Sequence, residues 1–334
     1  MMRRLVLILY VSLAGAACAV PLGLLKTASF IINAVDEENR PVSNALVRVD
    51  FFHGYESGWD LKFSTGEAMT DTNGLCHLEG KCNGTAGGNV TKEGFYKSYP
   101  PSLSVTNCTL THWLPIDKEY QVVLRPILNP IPMYAKKLHG ILIPAIGERL
   151  SYDFESADWL PPHGDGKVAD LNIRMDCEFG EQLPAGENVR EFHATLTLTF
   201  SNEDDGIIEL PDAQPELEGS VFRLPRFAPE TGYSNRWSLY GFETATESSY
   251  SDNAKRANLN YFYRVRTKKD ETGRIISAHY GKIRGPINFG AYAKATSLSM
   301  TYYFNSTPND RNMEFDPSRN LFTDLPVSDQ VREP

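Results

Sequence analysis

The residues best suited to chemistry form an acidic group that begins at His163 and ends at Glu178. Paired carboxylates can hydrolyse glycosidic bonds, and carboxylates also bind metal ions. Catalytic carboxylates usually come from distant segments, however, and Asp and Gly also serve turn geometry. We therefore favour a turn followed by a strand, with a catalytic or ligand site as the alternative. The candidate ligand-binding residues of this group are His163, Asp165 and Asp170, together with Trp159.

A second acidic pattern lies near the C-terminus. It places side-chain oxygens at alternate positions, as calcium-binding loops do. It lacks the turn glycine and the closing glutamate of an EF-hand, so we favour a polar loop that closes the domain. Calcium is the alternative, and no other cofactor is expected. The candidate metal ligands are Asp310, Asn312, Glu314 and Asp316.

Other catalytic signatures are missing from the sequence. The seven histidines show no metal-binding spacing, and there is no Gly-x-Ser-x-Gly elbow, P-loop or dinucleotide fingerprint. A Ser–His–Asp set from distant segments stays open. Exposed tryptophans at positions 59, 113, 159 and 237 would offer stacking surfaces to sugar rings, but we favour their burial in hydrophobic cores. His193 alternates with threonines and is expected to be exposed.

The first 19 residues have the organisation of a cleavable signal peptide. Arg3 and Arg4 precede an apolar run over residues 5–14, and small residues at Ala17 and Ala19 mark a cleavage site. We expect export to the periplasm or the extracellular space. Cys18 alone is weak evidence for a lipoprotein because no large aliphatic residue lies three positions before it. No later run is long and apolar enough to cross a membrane.

Cysteine usage fits an exported protein. Export allows disulfide bonds, and the four cysteines after the leader permit three pairings. A Cys76–Cys82 bond would close a short hairpin-like loop, Cys82–Cys108 is the second candidate, and buried thiols are the alternative. Cys177 lies in the other half of the chain. A lone Cys-x5-Cys spacing is poor evidence for zinc.

The charge balance restricts the partners. The formal net charge is −9, and loss of Arg3 and Arg4 with the leader makes it more negative by two. A chain this acidic repels nucleic-acid phosphates and anionic lipid. A glycan or an envelope protein is the partner we expect.

The pattern of apolar residues predicts an all-β protein. Apolar residues alternate over 45–51 and again over 192–200, which is typical of a sheet with one wet face. Segments 259–267 and 274–283 flank Asp270-Glu271-Thr272-Gly273 and predict a hairpin. No segment shows a sustained helical period.

Four stretches in the first third of the chain follow one another in a recognisable order of turn and strand motifs. They are Val35-Asp36-Glu37-Glu38-Asn39-Arg40-Pro41-Val42, Ala45-Leu46-Val47-Arg48-Val49, Thr70-Asp71-Thr72-Asn73-Gly74 and Lys92-Glu93-Gly94-Phe95-Tyr96. This part of the chain resembles the carboxypeptidase regulatory-like domains, although Asn39 and Phe95 stand where Gly and Tyr are usual in that family. The resemblance implies a transthyretin-like β-sandwich of about seven strands that is an accessory unit without catalysis.

These observations give an expected domain plan. The β-sandwich covers 28–126, a proline-rich stretch over 127–134 forms a stiff linker, and a second β-rich domain covers 135–325. Pairing across the domains is the alternative that would order the proline-rich stretch. The function we favour is an exported, non-enzymatic binding or assembly protein. The alternative is a secreted hydrolase that acts on glycan or peptide, with its site in the second domain.

Overall fold

The computed structural model describes residues 25–55, 60–105, 107–180, 191–210, 219–244, 248–249, 259–292 and 294–334. The signal peptide expected over residues 1–19 lies outside them. The chain is all-β, as predicted, with strands numbered β1 to β20. It divides into two compact units, of which the first ends at Arg125 and the second begins at Pro126.

The first unit is a β-sandwich. A three-stranded sheet has the order β4-β1-β9, a four-stranded sheet has the order β3-β2-β5-β6, and β7 pairs with β8. The strands are β1 (Lys26–Val35), β2 (Leu46–Tyr55), β3 (Leu61–Met69), β4 (Leu75–Cys82), β5 (Thr85–Thr91), β6 (Leu103–Ser104), β7 (Asn107–Cys108), β8 (Trp113–Leu114) and β9 (Lys118–Val123).

Alternating burial explains how these sheets pack. Along β2, Val47, Val49 and Phe51 are buried, whereas Leu46 and Arg48 are exposed. Successive strand residues point to opposite faces, so the buried set meets the other sheet and forms a shared core. The prediction from residues 45–51 is confirmed at this strand.

Acidic side chains fix the turns of this unit. Asp36 Oδ1 accepts hydrogen bonds from the Glu38 and Arg40 backbone N–H groups. Asn39, which stands where the resembled family has glycine, has a φ of 60°. Asparagine tolerates this left-handed conformation better than most residues, so the departure preserves the turn.

The second unit contains two larger sheets with a common core. Their orders are β12-β11-β13-β14-β16-β17 and β10-β20-β19-β18-β15. The strands are β10 (Tyr134–Leu142), β11 (Arg149–Asp153), β12 (Asp158–Trp159), β13 (Leu171–Phe179), β14 (Phe192–Thr199), β15 (Gly206–Leu210), β16 (Arg236–Glu243), β17 (Ser248–Ser249), β18 (Asn260–Lys269), β19 (Ile275–Tyr292) and β20 (Ala295–Asn305).

The five-stranded sheet is covered on both faces. In β18, Tyr261 and Tyr263 point into the common core, while Phe262 joins a second apolar cluster on the opposite face. Tyr302 and Tyr303 of β20 divide in the same way. Double coverage explains why consecutive residues of β18 and β20, such as Tyr261-Phe262-Tyr263 and Tyr302-Tyr303-Phe304, are buried, whereas burial alternates along β16 of the six-stranded sheet.

The predicted hairpin over 259–283 is present, and its second strand is longer than expected. Asp270 Oδ1 accepts from the Thr272 and Arg274 N–H groups at the turn, which joins β18 to β19. β19 continues to Tyr292 through an irregularity between Arg284 and Asn288. Such bulges bend a strand without ending it.

The proline-rich stretch packs into the second unit and differs from the stiff linker that we expected. Met133 is fully buried, and the Leu128 and Asn129 N–H groups donate to the Glu314 carboxylate at 2.9 and 3.0 Å. Prolines bring no N–H donors of their own, so the stretch cannot pair as a regular strand. The buried Glu314 carboxylate satisfies two of the stretch's N–H donors, and the Ile131 N–H donates to the Glu314 carbonyl at 2.8 Å.

Within the described parts of the chain, no helix has the length and apolar character needed to cross a membrane.

Candidate functional site

The exposed face of the six-stranded sheet carries the most distinctive surface group. In β14, Phe192, Ala194 and Leu196 point into the core, so His193 and Thr195 point outward. His193 lies directly opposite Phe242 of β16, and Thr195 lies opposite Tyr240. Period-two alternation in two neighbouring strands therefore brings His193, Tyr240 and Phe242 together on one face.

These three rings, which we name the aromatic platform, have planes inclined to one another by 14° to 35°. The His193 and Phe242 ring centroids lie 5.7 Å apart with planes inclined by 14°. Tyr240 lies 6.4 Å from His193 and 6.1 Å from Phe242. His193 Nδ1 and the Tyr240 hydroxyl form a 2.8 Å hydrogen bond. Tyr240 is 43% exposed, so the platform is open to solvent.

Polar side chains from β13 border the aromatic platform. Glu178 is opposite His193, and Asp176 is opposite Thr195. Arg174 Nη2 lies 2.7 Å from Asp176 Oδ1, and hydrogen bonds from Arg174 hold the pKa of the Asp176 carboxyl below its ordinary value. An apolar aromatic surface with carboxylates beside it can contact the C–H groups of a ligand and its hydroxyls simultaneously.

The predicted ligand-binding residues divide into two exposed and two buried side chains. His163 and Asp165 are exposed in the loop before β13, whereas Trp159 is buried against Tyr152. Asp170 is 2% exposed and forms an ion pair with Arg266 at 2.8 Å. Burial raises the pKa of the Asp170 carboxyl, although Arg266 opposes this shift. The Asp158 carboxylate holds this loop in place, because it accepts hydrogen bonds from the Trp159 and Asp165 backbone N–H groups.

The candidate calcium ligands are occupied by backbone groups. Asp310 accepts from the Asn312 N–H, and Asn312 accepts in turn from the Glu314 N–H. Asp316 accepts from the Ser318 N–H and pairs with Arg319. Residues two apart thus cap each other, which accounts for the alternating pattern. The described residues contain no group of three or more acidic, His or Cys side chains that could hold a metal. Calcium binding stays a prediction, which a titration of thermal stability with Ca²⁺ would check.

Cys76 and Cys82 lie at the two ends of the same strand. The segment from Cys76 to Cys82 belongs to β4, where a hairpin-like loop was expected. Six extended residues separate two Cα atoms by roughly 20 Å, beyond the reach of a disulfide. Cys82 is opposite Lys26, whose Nζ lies 3.0 Å from the Cys108 sulfur. A Cys82–Cys108 bond stays a prediction.

A Ser–His–Asp set does assemble in the first unit, from distant segments. The Ser29 hydroxyl lies 2.7 Å from His77 Nε2, and Asp117 Oδ1 lies 2.8 Å from the same nitrogen. Ser29 also donates to Asp117 directly. A catalytic triad needs the serine and the carboxylate on opposite ring nitrogens. The set is therefore a surface hydrogen-bond cluster that cannot relay a proton through the imidazole.

The tryptophans within the described residues fill the cores, as we favoured. Trp113, Trp159 and Trp237 are buried, and Trp113 Nε1 donates to the Cys82 carbonyl at 2.9 Å. Trp59 lies outside the described residues. Sequence reasoning missed Tyr240 and Phe242, although the alternation of Arg236-Trp237-Ser238-Leu239-Tyr240-Gly241-Phe242 carried the signal.

No protein-family model and no curated protein matches the chain. Among solved structures, it is similar to 3-chlorocatechol 1,2-dioxygenase from Rhodococcus opacus 1CP, with 15% identity and a TM-score of 0.23. That match covers 30% of this chain and 60% of the dioxygenase. The major pilin subunit BcpA of Bacillus cereus has 12% identity and a TM-score of 0.22, over 82% of this chain and 95% of the pilin. At these values neither similarity indicates what this chain does.

Proposed function

We propose that this chain is an exported, non-enzymatic protein that binds a glycan through the aromatic platform formed by His193, Tyr240 and Phe242. A single observation carries the proposal: two exposed rings, His193 and Tyr240, and the half-buried ring of Phe242 cluster on a sheet face that is otherwise polar. Clustered exposed apolar groups mark interaction surfaces more often than isolated ones do.

The chemistry of the platform fits a sugar ring. One face of a sugar ring presents C–H groups, which are attracted to the negative face of an aromatic ring. The sugar's hydroxyls lie around its rim, where the carboxylates of Asp176 and Glu178 can accept hydrogen bonds. A flat, open surface suits an extended glycan better than a small molecule, which needs an enclosing pocket.

We further propose that the first unit is a carboxypeptidase regulatory-like domain with an accessory role. Its two larger sheets contain three and four strands, beside the short β7–β8 pair, and the resemblance implies about seven strands. The turn at Asp71 is closed as the motif requires, because Asp71 Oδ1 accepts from the Asn73 and Leu75 N–H groups. The Lys92 ammonium also lies 5.3 Å from the Phe95 ring centroid, within the third motif.

The proposal is tested by binding of the purified chain to an array of polysaccharides, followed by titration with the best ligand. Tyr240→Ala and Phe242→Ala should each weaken binding about tenfold, because each removes a stacking surface. Tyr292→Ala is the matched control, since Tyr292 is an exposed tyrosine of the same unit outside the platform. It should bind as the unmodified chain does.

Circular dichroism and thermal melting verify that each variant is folded. Three outcomes contradict the proposal: no glycan binds, the two platform variants bind normally, or Tyr292→Ala loses as much affinity as they do.

A further inference from the structure

A row of polar side chains crosses the five-stranded sheet on the face away from the common core. Lys137 of β10 pairs with Thr301 of β20, which pairs with Arg284 of β19. Asn260 of β18 precedes the Tyr261–Ile283 pair and extends the row. Directly opposite residues share a face of a sheet, so these four side chains lie side by side.

A β-bulge opens the sheet at this row. The register of β19 against β20 shifts between Arg284 and Asn288, and Gly285 has a φ of 80°. This left-handed conformation strains residues that carry a Cβ, and glycine adopts it readily. The Gly285 N–H turns away from the ladder and donates to Asn260 Oδ1 at 2.9 Å. Bulges of this kind redirect side chains next to binding sites.

The row lines a cavity of about 290 Å³ with a positive charge balance. Lys137, Arg284 and the exposed Arg223 contribute three cations, whereas Glu333 contributes one carboxylate. The whole chain has a net charge of −9, so this cavity is a local exception to the prevailing charge.

An acidic residue of the chain itself already sits in the cavity. Arg284 Nη1 lies 3.2 Å from Glu333 Oε2, and the Tyr303 hydroxyl donates to the Glu333 carbonyl at 3.1 Å. The Lys137 N–H also donates to the Asp329 carbonyl at 2.9 Å, which holds the segment before Glu333 along β10. The Glu333 side chain therefore shows that this cavity accommodates a carboxylate next to Arg284.

We propose that this cavity is an oxyanion-binding site and that Glu333 occupies it as an internal competitor. A ligand that brings a carboxylate, phosphate or sulfate group would displace the Glu333 side chain and pair with Arg284, Lys137 and Arg223. Arginine binds such planar or tetrahedral oxyanions through paired, charge-assisted hydrogen bonds. The site lies on the opposite sheet from the aromatic platform and does not depend on the proposed glycan binding.

The test is calorimetric titration of the full chain with sodium sulfate, sodium phosphate and N-acetylglutamate, at an ionic strength held constant with chloride. Glu333→Gln should tighten binding of at least one probe about tenfold, because the competing carboxylate is gone. Arg284→Gln in that background should weaken it by about the same factor. The three probes distinguish a phosphate or sulfate ligand from a carboxylate.

Lys268→Gln in the Glu333→Gln background is the matched control, since Lys268 is an exposed cation of the same sheet outside the cavity. It should bind each probe with the affinity of the Glu333→Gln chain. If Arg284→Gln does not fold, Lys137→Gln takes its place. The proposal is overturned if no probe binds the Glu333→Gln chain, or if the control loses as much affinity as the cavity variants. Glycan binding at the aromatic platform should be unchanged in all of these variants.

Discussion

Asp170 shows how burial changes the use of an acidic residue. It belongs to the densest carboxylate group in the sequence, but its oxygens bond to Arg266 and to the Phe154 N–H. Arg266 also pairs with Glu155 at 2.8 Å and with Asp153 at 3.4 Å. Buried charges persist where they are paired and hydrogen-bonded, so Asp170 and Arg266 contribute to holding the fold.

His279 makes the stability of the second unit depend on pH. Its ring stacks on Phe304 with centroids 5.7 Å apart. Burial and, secondarily, Arg266 and Lys268 lower the pKa of His279 from 6.5, whereas Glu155 and the Ser306 backbone oppose this. The folded chain therefore binds this proton at a lower pH than the unfolded chain does. Stability from neutral His279 is present above about pH 6.5 and is lost as the pH falls through the folded pKa.

The expected result is a melting temperature that falls between pH 7 and pH 5 in the unmodified chain and falls less in His279→Gln. Calorimetric scans at several pH values measure the difference in slope. The same substitution at exposed His163 is the control and should retain the slope of the unmodified chain. An unchanged slope in His279→Gln would contradict the assignment.

Two glycines with the same backbone conformation allow a matched comparison. Gly74 has a φ of 77° and Gly94 a φ of 78°. A Cβ on Gly74 would collide with the Ala34 carbonyl oxygen, whereas a Cβ on Gly94 meets nothing within 4 Å. Gly94→Ala should cost about 1–2 kcal/mol from the left-handed conformation alone. Gly74→Ala should lower the free energy of unfolding clearly more, because of the added collision. Urea unfolding measures both variants, and equal losses of stability would contradict the prediction by showing that a backbone shift relieves the collision at residue 74.

Glu314 decides the structure of a whole element. It is 1% exposed and lies 3.0 Å from Arg226, while it accepts from two N–H groups of the proline-rich stretch. That stretch also pairs at Ile131 with Phe315. The Glu314 carboxylate therefore orders the proline-rich stretch, which lies far from it in sequence and has too few backbone N–H donors to pair as a regular strand.

Glu314→Gln should destabilise the second unit by about 2–4 kcal/mol, because it leaves a buried arginine with a neutral partner. Asp316→Asn is the control, since Asp316 pairs with Arg319 nearer the surface and should cost about 1 kcal/mol or less. Chemical unfolding of both variants measures the two losses. Similar losses of stability in the two variants would contradict the prediction, because they would show that the buried ion pair of Glu314 contributes no more than the more exposed ion pair of Asp316.

At the scale of the whole molecule, each unit has its own hydrophobic core. Phe30, Ile32 and Phe51 belong to the core of the first unit, and Phe154, Leu196 and Tyr302 belong to that of the second. A β-sandwich of about 100 residues with its own core is of a size that commonly folds alone.

Residues 25–125 expressed alone should therefore give a folded β-protein that unfolds cooperatively. Far-ultraviolet circular dichroism and a thermal melt measure this, and residues 126–334 provide the parallel sample. A first unit that is unfolded alone but folded in the full chain would contradict the assignment of separate cores.

The sequence by itself determined the all-β class, the wet face of β2 and β14, and the hairpin around Asp270. Each follows from the alternation of apolar and polar residues or from turn-forming residues within a short segment. Successive strand residues point to opposite faces, so such local patterns are enough to predict these features.

Only the tertiary structure decided which side chains meet. The pairing of β14 with β16 brings His193 to Tyr240 and Phe242, and long-range contacts bury Asp170 and Glu314. The spacing of residues within a short segment predicts neither the register between two strands nor the partner of a buried charge. Both depend on residues that are tens to hundreds of positions away in the sequence. For the same reason, the sequence placed the candidate site on the acidic loop, whereas the fold puts its open aromatic surface on the neighbouring sheet face.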